Sequence, residues 1–420
     1  MGNPFVVNAY AKAMKRTRIV ASDNQLLYEW SGTHWSVRDV RDEERAAYEW
    51  LSQRDPLHAS ADKAKKAYCT SLLEAELLQE MTDEVIVPCQ NGYLHFVDNQ
   101  FQLRSPDLTL GIKHTLSCNY DPAVGHGTKF QQFLEQILPD EQVRGRVQEY
   151  IGYTLLPDCR YQRFQIWLGS GANGKGVLAN VIQALHSRVA AVRLDQVGGF
   201  GAAALVGASL AYVDELPKGR INEDLLKSMI AGERISIDVK YRDSLSLCLT
   251  AKWIVLGNHL PVLTDHSTGF WRRCDIVPFE TTVAEVNRDP LLAKTIIDTE
   301  LSAVLNWAIE GLVRLQTRGM FNPLLPPRMD TALYSAKEET NSVLAWANDV
   351  GLEVQFEAKQ SKDDIYQDYR LWCERNGLSA LSTPKFWPRI KDIKSFSESR
   401  MTLLGKYVRV CNLGYTKVES

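Results

Sequence analysis

The stretch FQIWLGSGANGKGVLANVI, residues 164–182, joins an apolar run to a glycine-rich turn and then to helix-forming residues. This order predicts a buried strand, a loop and a helix, and therefore an α/β core. Within it, Gly169, Gly174 and Lys175 fit the spacing G-x4-G-K. Glycines let the backbone turn tightly so that its N–H groups can point at phosphate oxygens, and the lysine adds a positive charge for the β- and γ-phosphates. The stretch predicts a phosphate-binding loop.

The loop departs from the usual pattern at one position. The residue after the lysine is normally Ser or Thr, whose hydroxyl binds Mg2+, and here it is Gly176. We still expect ATP and Mg2+ as cofactors, and the sequence leaves open which groups hold the metal. The predicted nucleotide-binding residues are Gly169, Gly171, Ala172, Asn173, Gly174, Lys175, Gly176 and Val177.

An apolar run that ends in two carboxylates, SLAYVDE at residues 209–215, follows about 40 residues later. Asp214 would hold Mg2+, directly or through water, and Glu215 would polarise the water that attacks the γ-phosphate. Many strands end in acidic residues, so this pattern alone is weak. Its position after a phosphate-binding loop is what makes it predict a catalytic site.

Two further segments carry polar side chains that could respond to the γ-phosphate. The apolar run at 252–257 ends in Asn258, which could hydrogen-bond the γ-phosphate or the attacking water; the alternative is a turn residue that caps a strand. Arg272 and Arg273 lie in the otherwise apolar segment GFWRRC, residues 269–274. A guanidinium that reaches the γ-phosphate bound by a neighbouring subunit would stabilise the charge of the transition state. The alternative is a structural ion pair.

The segment LKSMIAGERISIDVKYRDSLSL, residues 226–247, predicts a helix that runs into a hairpin. Lys240 and Arg242 would lie near the tip of this hairpin. In a ring-shaped motor such a tip can project into the central pore and contact the DNA backbone. The alternative for both residues is a solvated hairpin tip.

The composition is that of an ordinary globular protein, with 45% apolar and 24% charged residues. No apolar run approaches the roughly 18 residues that cross a bilayer, and no signal-peptide pattern is seen, so we expect a cytoplasmic protein without a membrane partner. The eight cysteines include no C-x2-C pair, which argues against a zinc site. From Arg375 to Arg409, eight basic and two acidic residues give a local charge of +6, typical of phosphate-backbone contact; a solvated lysine-rich surface is the alternative.

Patterns along the chain predict four segments. Residues 1–130 mix helix and hairpin signals, with hairpins indicated around Ser31–Gly32 and Asn91–Gly92 and an amphipathic helix over Arg38–Gln53. We interpret them as a mainly helical accessory or assembly domain. Residues 131–318 alternate apolar strands with helices, as an α/β ATPase core does. A proline-rich stretch indicates a linker over 319–337. Residues 338–420 contain helical patterns, a basic stretch and a β-pair near residues 401–411, and indicate a winged-helix-like DNA-binding domain.

In their order, spacing and residue identities, these motifs resemble those of the superfamily 3 helicases, in the branch shared by satellite-phage and poxvirus primase-helicases. The resemblance covers residues 131–315 strongly and the flanking regions more weakly. It implies an AAA+-like core, a hexameric ring and 3′-to-5′ movement along single-stranded DNA. The segments that carry it are GSGANGKG (169–176), AYVDE (211–215), AGERISIDVKYRD (231–243), VLGN (255–258) and GFWRRCDIVPF (269–279).

The same resemblance assigns a role to each motif. It implies that water and Asp214 hold the metal, because the phage branch tolerates glycine at the position of Gly176. The remaining roles are the phosphate-loop lysine for Lys175, the metal and water carboxylates for Asp214 and Glu215, the pore contact for Lys240, the sensor for Asn258, and the trans-acting finger for Arg273 or Arg272.

We therefore predict an ATP-dependent DNA helicase of a phage, plasmid or integrated mobile element, which unwinds forked DNA as a homohexameric ring. We expect the helicase part without a primase domain, and a separate primase or other replication proteins as partners. The alternative is a DNA-replication initiator or nucleotide-gated assembly module with little turnover, which Gly176 suggests. A small-molecule phosphotransferase would explain neither the paired arginines nor the basic stretch.

Overall fold

The N-terminal region combines helices with two small sheets. The computed structural model of the chain describes residues 5–125, 127–238, 244–261, 263, 268–403 and 406–416. The elements before residue 126 are α1 (Phe5–Thr17), β1 (Val20–Asp23), β2 (Leu26–Trp30), β3 (Trp35–Val37), α2 (Val40–Arg54), α3 (Ala61–Glu74), β4 (Glu76–Leu77), β5 (Ile86–Cys89), β6 (Gly92–Val97), β7 (Gln100–Arg104) and a 3-10 turn at Leu108–Leu110.

Short strands accompany the helices of this region, although its helical residues outnumber its strand residues. One sheet has the order β3-β2-β1-β4 and a second has the order β5-β6-β7. The hairpins predicted around Ser31–Gly32 and Asn91–Gly92 are confirmed as β2–β3 and β5–β6. The helix predicted near residue 40 is confirmed as α2, which begins where the Asp39 carboxylate accepts hydrogen bonds from the first-turn N–H groups. Helices and strands therefore coexist in residues 5–125.

The central region is an α/β layer structure. Its strands lie in one parallel sheet, with a separate antiparallel hairpin at β11–β12. The elements are α4 (Thr128–Ile137), α5 (Glu141–Thr154), β8 (Phe164–Leu168), α6 (Lys175–Leu185), β9 (Val189–Ala191), a 3-10 segment (Gly199–Leu205), β10 (Leu210–Val213), α7 (Glu223–Ala231), β11 (Arg234–Ile237), β12 (Leu245–Cys248), β13 (Lys252–Gly257), α8 (Thr268–Trp271), β14 (Cys274–Pro278), a 3-10 turn (Glu285–Asn287) and α9 (Leu292–Arg318).

The parallel sheet has the order β14-β8-β13-β10-β9, so its strands are not neighbours in sequence order. Both faces are covered, which explains why the strands are continuous apolar runs and not alternating ones. One face of the sheet packs against α5, α6 and α9. The other face packs against α7 and against the helical residues Leu333 and Ala336. Because all five strands are parallel, their carboxyl ends meet at one edge of the sheet.

A buried ion pair connects the sheet to the helical layer. The guanidinium of Arg146, on α5, donates to both carboxylate oxygens of Asp275, on β14, at 2.7 and 3.0 Å. Arg163 donates to the same carboxylate at 3.2 Å, and Asp275 is fully buried. A buried carboxylate is stable only when paired in this way, so this group fixes β14 against α5.

The C-terminal region begins with a helix that belongs to the core. Helix α9 ends at Arg318, with Gly319 in a left-handed conformation, and the next helix starts at Pro327. In the helix that starts at Pro327, Met329 and Leu333 are buried against the sheet. The remaining elements are α10 (Pro327–Thr340), α11 (Ser342–Asp349), β15 (Leu352–Val354), β16 (Gln360–Ser361), α12 (Lys362–Arg375), α13 (Thr383–Ile393), β17 (Glu398–Leu403), β18 (Lys406–Cys411) and β19 (Leu413–Tyr415).

This arrangement corrects the predicted linker at 319–337. Only the stretch between α9 and α10 is irregular, and most of the predicted linker is helix α10 packed on β14. The physical reason is that Pro326 and Pro327 occupy the cap and first-turn positions of a helix, where a missing N–H costs nothing. Proline here starts a helix and does not mark a flexible connection.

Helices α11, α12 and α13 then surround their own core, centred on Trp346, Tyr369 and Phe386. The strands form a sheet in the order β16-β18-β17 and a separate β15–β19 pair. The β-pair predicted near residues 401–411 is confirmed as β17–β18. In the described part of the chain, no helix is both long and apolar enough for a bilayer crossing.

Candidate nucleotide-binding site

The predicted phosphate-binding loop connects strand β8 to helix α6. It begins at Gly169, whose N–H donates to the carbonyl of Gly257 at the end of β13. Gly171 and Gly174 have φ values of +100° and +80°, which favour glycine, and Ala172 also has a positive φ of +50°. Helix α6 then starts directly at Lys175. The loop therefore leads into a helix N-terminus, where free N–H groups and the helix dipole favour an anion.

Side chains and backbone from other elements hold the loop tightly. The Asn173 amide donates to the carbonyl of Phe279 at 3.1 Å, and the Val283 N–H donates to the carbonyl of Ala172 at 2.8 Å. A Cβ on Gly169 would lie 2.1 Å from the Asn173 amide nitrogen, and one on Gly174 would lie 2.5 Å from the Ile137 side chain. Glycine is thus required at both positions by space, and at Gly174 by backbone conformation as well.

The ammonium group of Lys175 lies inside this loop. It donates to the carbonyl of Gly169 at 2.5 Å and to the side-chain oxygen of Asn258 at 3.3 Å. The residue is 6% exposed, and burial lowers the pKa of its ammonium group. Among the described residues no carboxylate forms an ion pair with it, so its charge is available to a bound anion. The predicted lysine and the predicted sensor amide are therefore brought together.

The predicted carboxylates lie at the same edge of the sheet. Asp214 and Glu215 follow the end of β10, which is separated from β8 by β13. Both are exposed, and the Tyr212 hydroxyl donates to Asp214 at 2.6 Å. A cleft of about 430 Å³ contains both carboxylates, Asn258 and every predicted nucleotide-binding residue except Gly169. Its lining is Gly171, Ala172, Asn173, Gly174, Lys175, Gly176, Val177, Asp214, Glu215, Leu256, Gly257 and Asn258.

Gly176, the unusual residue after the lysine, faces open space. A Cβ built on it meets nothing within 4 Å, so a hydroxyl-bearing residue would fit. In the described chain no group of three or more His, Cys, Asp or Glu side chains could hold a metal ion by itself. Mg2+ characteristically binds through one or two carboxylates together with substrate phosphates. Asp214 and Glu215 fit that donor set, and the glycine cradle fits a phosphate chain.

The two predicted arginines lie away from this cleft. Both precede β14, at the edge of the sheet opposite to the carboxyl ends, and a five-residue parallel strand separates the two edges by roughly 16 Å. Arg273 donates to the Gly269 carbonyl at 2.8 Å and to Gln162 at 3.2 Å, and burial, with the nearby charge of Arg272, lowers its pKa. Arg272 is exposed. Neither arginine belongs to the cleft of its own chain.

The predicted DNA-contacting residues Lys240 and Arg242 lie outside the described residues. The structure does describe the strands that flank them, β11 and β12, which pair from Arg234↔Cys248 to Ile237↔Leu245. The predicted hairpin is therefore confirmed up to those positions.

Several residues of the site were not predicted from the sequence. Tyr212 is one, although strand periodicity could have found it, because residues two apart on a strand share a face. Arg193 and Lys218 are others: together with Asp214 and Glu215 they line a second cleft of about 460 Å³ beside the first. No local signal connects Arg193 to this place, since only the parallel pairing of β9 with β10 brings it there.

Comparisons with known proteins extend these observations. Residues 167–273, which contain the loop, the carboxylates and both arginines, match a family described as a family of unknown function, DUF5906. The chain is 24% identical over 302 residues to the protein named "Putative helicase 184R" of Invertebrate iridescent virus 6, across 58% of this chain and 29% of that protein. It is 25% identical over 321 residues to "Putative helicase L207/L206" of Acanthamoeba polyphaga mimivirus, across 68% of this chain and 32% of that protein.

The chain thus spans about a third of the length of the curated relatives that it matches. A similar fold is found in the solved structure described as "The apo structure of NrS-1 C terminal region (305-718)". That similarity has a TM-score of 0.55 at 10% sequence identity, and it covers 98% of this chain and all of the other. The chain is therefore similar in sequence to viral proteins named as helicases, and similar in fold to a mixed α/β region of nearly the same extent.

Proposed function

We propose that this chain is an ATP-dependent DNA helicase of the superfamily 3 type, from a virus or another mobile element. One observation carries the proposal: Lys175, Asn258 and the Asp214–Glu215 pair converge on one cleft at the carboxyl edge of one parallel sheet. Strand β13, which ends at Asn258, lies between the loop strand and the carboxylate strand and so brings the three motifs within reach of a single ligand. The viral relatives named as helicases support the same reading.

In this proposal each group has a defined task. The loop N–H groups and Lys175 bind the phosphate chain, and Asp214, together with water, would hold Mg2+, which would neutralise phosphate charge. Glu215 takes a proton from the attacking water, and Asn258 orients that water or the terminal phosphate. Bound ATP with Mg2+ supplies the phosphoryl group whose transfer to water drives movement.

The positions of the two arginines favour a ring. Because Arg272 and Arg273 lie at the far edge of their own sheet, neither can contact the phosphates of its own subunit, whereas a neighbouring subunit can present one of them there. Arg272 is the better candidate for the trans-acting group, since Arg273 is already bonded to Gly269 and Gln162. We propose a homohexamer with DNA in the pore, contacted by Lys240 and Arg242.

The C-terminal elements support a winged-helix-like domain in the same proposal. Helix α11, strand β16, helices α12 and α13 and the β17–β18 hairpin follow one another in the order of such a domain, and β18 lies between β16 and β17. Six of the eight basic residues in the stretch 375–409 lie in α13 and this hairpin. The domain would hold DNA outside the ring.

The test is unwinding of a forked DNA labelled on one strand, measured with ATP and Mg2+ for the wild type and for Lys175→Ala. We expect strand separation by the wild type alone, because the variant lacks the charge that holds the terminal phosphates. Rings seen by negative-stain imaging with ATP and forked DNA would accompany activity. A wild type that hydrolyses ATP but never separates the strands would contradict the helicase assignment.

A second candidate, an ATP-gated initiator or assembly module, is favoured by one observation. Gly176 provides no hydroxyl for the metal, which would make hydrolysis slow. This candidate predicts ATP-dependent oligomerisation and DNA binding with negligible phosphate release. A phosphate-release assay under saturating ATP and DNA separates the two, because turnover on the order of 1 per second or faster belongs to a motor.

A further inference from the structure

Helix α13 has one side that points away from the core of its own domain. It follows α12 after a connection over residues 376–382, and the second helix of such a helix–turn–helix pair is the one that enters the major groove of DNA. Phe386, Trp387 and Ile390 of this helix are buried in the domain. At about 3.6 residues per turn, the opposite side carries four residues that we call the outer face. The outer face is Pro384, Lys385, Pro388 and Arg389.

The outer face lies opposite the ATPase core across a cleft of about 1140 Å³, which all four of its residues line. The other side of this cleft includes five residues of α10 and of the segments that follow β10 and β13, and we call them the core wall. The core wall is Arg220, Leu263, Ser335, Glu338 and Glu339. A cube of this volume has sides of about 10 Å, whereas the major groove of a duplex is itself about 12 Å wide. A duplex therefore reaches the outer face only if the two sides of the cleft move apart.

Opposite charges face each other across this cleft. The outer face contributes Lys385 and Arg389, and the core wall contributes two carboxylates and one guanidinium. Burial lowers the pKa of the Arg389 guanidinium, and the charge of Glu223, the first residue of α7, is among those that oppose this effect. Glu223 is itself buried in the ATPase core. Electrostatic attraction therefore favours the closed arrangement of the cleft.

Side-chain contacts attach the C-terminal domain to the core along one edge of the cleft. Asn348, on α11, donates to the Tyr334 hydroxyl at 2.7 Å and to the Glu338 carboxylate at 2.8 Å, both on α10. Helix α10 in turn packs on β14 of the central sheet. Because the domain is attached along α10, a movement that widens the cleft has to separate Arg389 from Glu223.

We propose that this chain is autoinhibited for duplex binding: the outer face of α13 is held toward the ATPase core, and duplex DNA binds there only after the cleft opens. In the closed form, carboxylates of the core supply Lys385 and Arg389 with the negative charge that DNA phosphates would otherwise supply. The inference rests on the proposed function, which makes the C-terminal domain a DNA-binding one, and it adds a closed state that opposes this binding.

The first test is duplex affinity, measured by anisotropy at fixed salt for the full-length wild type and two variants. Glu223→Gln removes the charge near Arg389 and keeps the size of the side chain. Asp224→Asn is the matched control, because it removes the same charge from the next residue of α7, whose side chain is 90% exposed. We expect Glu223→Gln to lower the Kd for duplex about three- to tenfold, as when a competent form of roughly 10–30% becomes nearly complete. Asp224→Asn should leave the Kd unchanged.

The second test measures opening itself, by energy transfer between dyes on the core and on the C-terminal domain. The dyes are attached to Lys294→Cys, on α9, and Glu374→Cys, on α12, with the exposed Cys69 and Cys248 changed to serine. Labelled chains are diluted with unlabelled ones, so that only transfer within one chain is observed. Duplex should change the transfer efficiency of the wild type, and Glu223→Gln should show a shift in the same direction without DNA.

A further variant covers the case in which Glu223→Gln does not fold. Glu339→Gln changes an exposed residue of the core wall and should move both readouts in the same direction by a smaller amount. The inference is overturned if duplex binds the wild type without changing energy transfer, or if neither glutamine variant binds duplex more tightly than Asp224→Asn does. If only the proposed helicase function fails, DNA stimulates no ATP hydrolysis, whereas the change in energy transfer on adding duplex remains.

Discussion

Adding one methyl group to Gly169 should destroy the nucleotide site. The Cβ of Gly169→Ala would lie 2.1 Å from the Asn173 amide nitrogen and 2.4 Å from the Phe279 carbonyl oxygen, well inside the contact limit of side-chain carbons. The carbonyl belongs to the backbone at the end of β14 and cannot yield easily. The alanine therefore has to displace the Asn173 amide.

The expected magnitude follows from what that displacement breaks. The Asn173 side chain is nearly fully buried, so loss of its 3.1 Å hydrogen bond leaves a donor and an acceptor unpaired, at roughly 1–3 kcal/mol. Overpacking adds roughly 1–3 kcal/mol. If only about 1.4 kcal/mol of the total appears in nucleotide binding, the dissociation constant for ATP rises tenfold.

Gly176→Ala is the matched control, because it adds the same methyl group seven residues away. Its Cβ meets nothing within 4 Å, and alanine is favoured over glycine in a helix by up to about 1 kcal/mol. We expect Gly176→Ala to bind ATP like the wild type and to melt at the same temperature or higher. Titration with a fluorescent ATP analogue, together with thermal melts, measures both variants. Equal ATP affinity in the two variants would refute the reasoning that this loop is the phosphate cradle.

The other predictions concern the arginines, the metal and pH. Arg272→Ala should abolish turnover and be rescued in mixed rings that supply the arginine from a neighbour, whereas Arg273→Ala should mainly lower the melting temperature; the reverse pattern would contradict the assignment. Tyr212→Phe, which removes the hydrogen bond to Asp214, should raise the Mg2+ concentration for half-maximal ATP hydrolysis severalfold with little change in melting temperature; an unchanged Mg2+ dependence would argue against it. Burial lowers the pKa of His186 to about 3, below its usual value near 6.5, so the unfolded chain binds the extra proton below pH 6.5. Between pH 7.5 and pH 5 this costs about 2 kcal/mol of stability, and urea melts of His186→Gln should show a correspondingly smaller loss.

The strand, loop and helix over residues 164–185 could be predicted because they are close together in the sequence. The loop, the strand before it and the helix after it lie within 19 consecutive residues, and the strands that end at Asp214 and Asn258 are uninterrupted apolar runs. Because these strands are parallel, their carboxyl ends lie at the same edge of the sheet. The order of the strands across the sheet could not be predicted, because no sequence pattern indicates that β13 lies between β8 and β10.

The residues that were missed depend on such long-range placement. Ile137, which fills the space beside Gly174, comes from α4, and Phe279 comes from the end of β14. The predicted linker was wrong for a different reason, since composition alone does not distinguish a proline that breaks a helix from one that begins it.

The most direct test of the central claim is ATP hydrolysis by the purified wild type, measured with and without single-stranded DNA and compared with Lys175→Ala. The account predicts hydrolysis that rises severalfold when single-stranded DNA is added and that is lost in the variant, because Lys175 lies in the phosphate loop beside Asn258. Hydrolysis that DNA leaves unchanged, or that survives in Lys175→Ala, would contradict it.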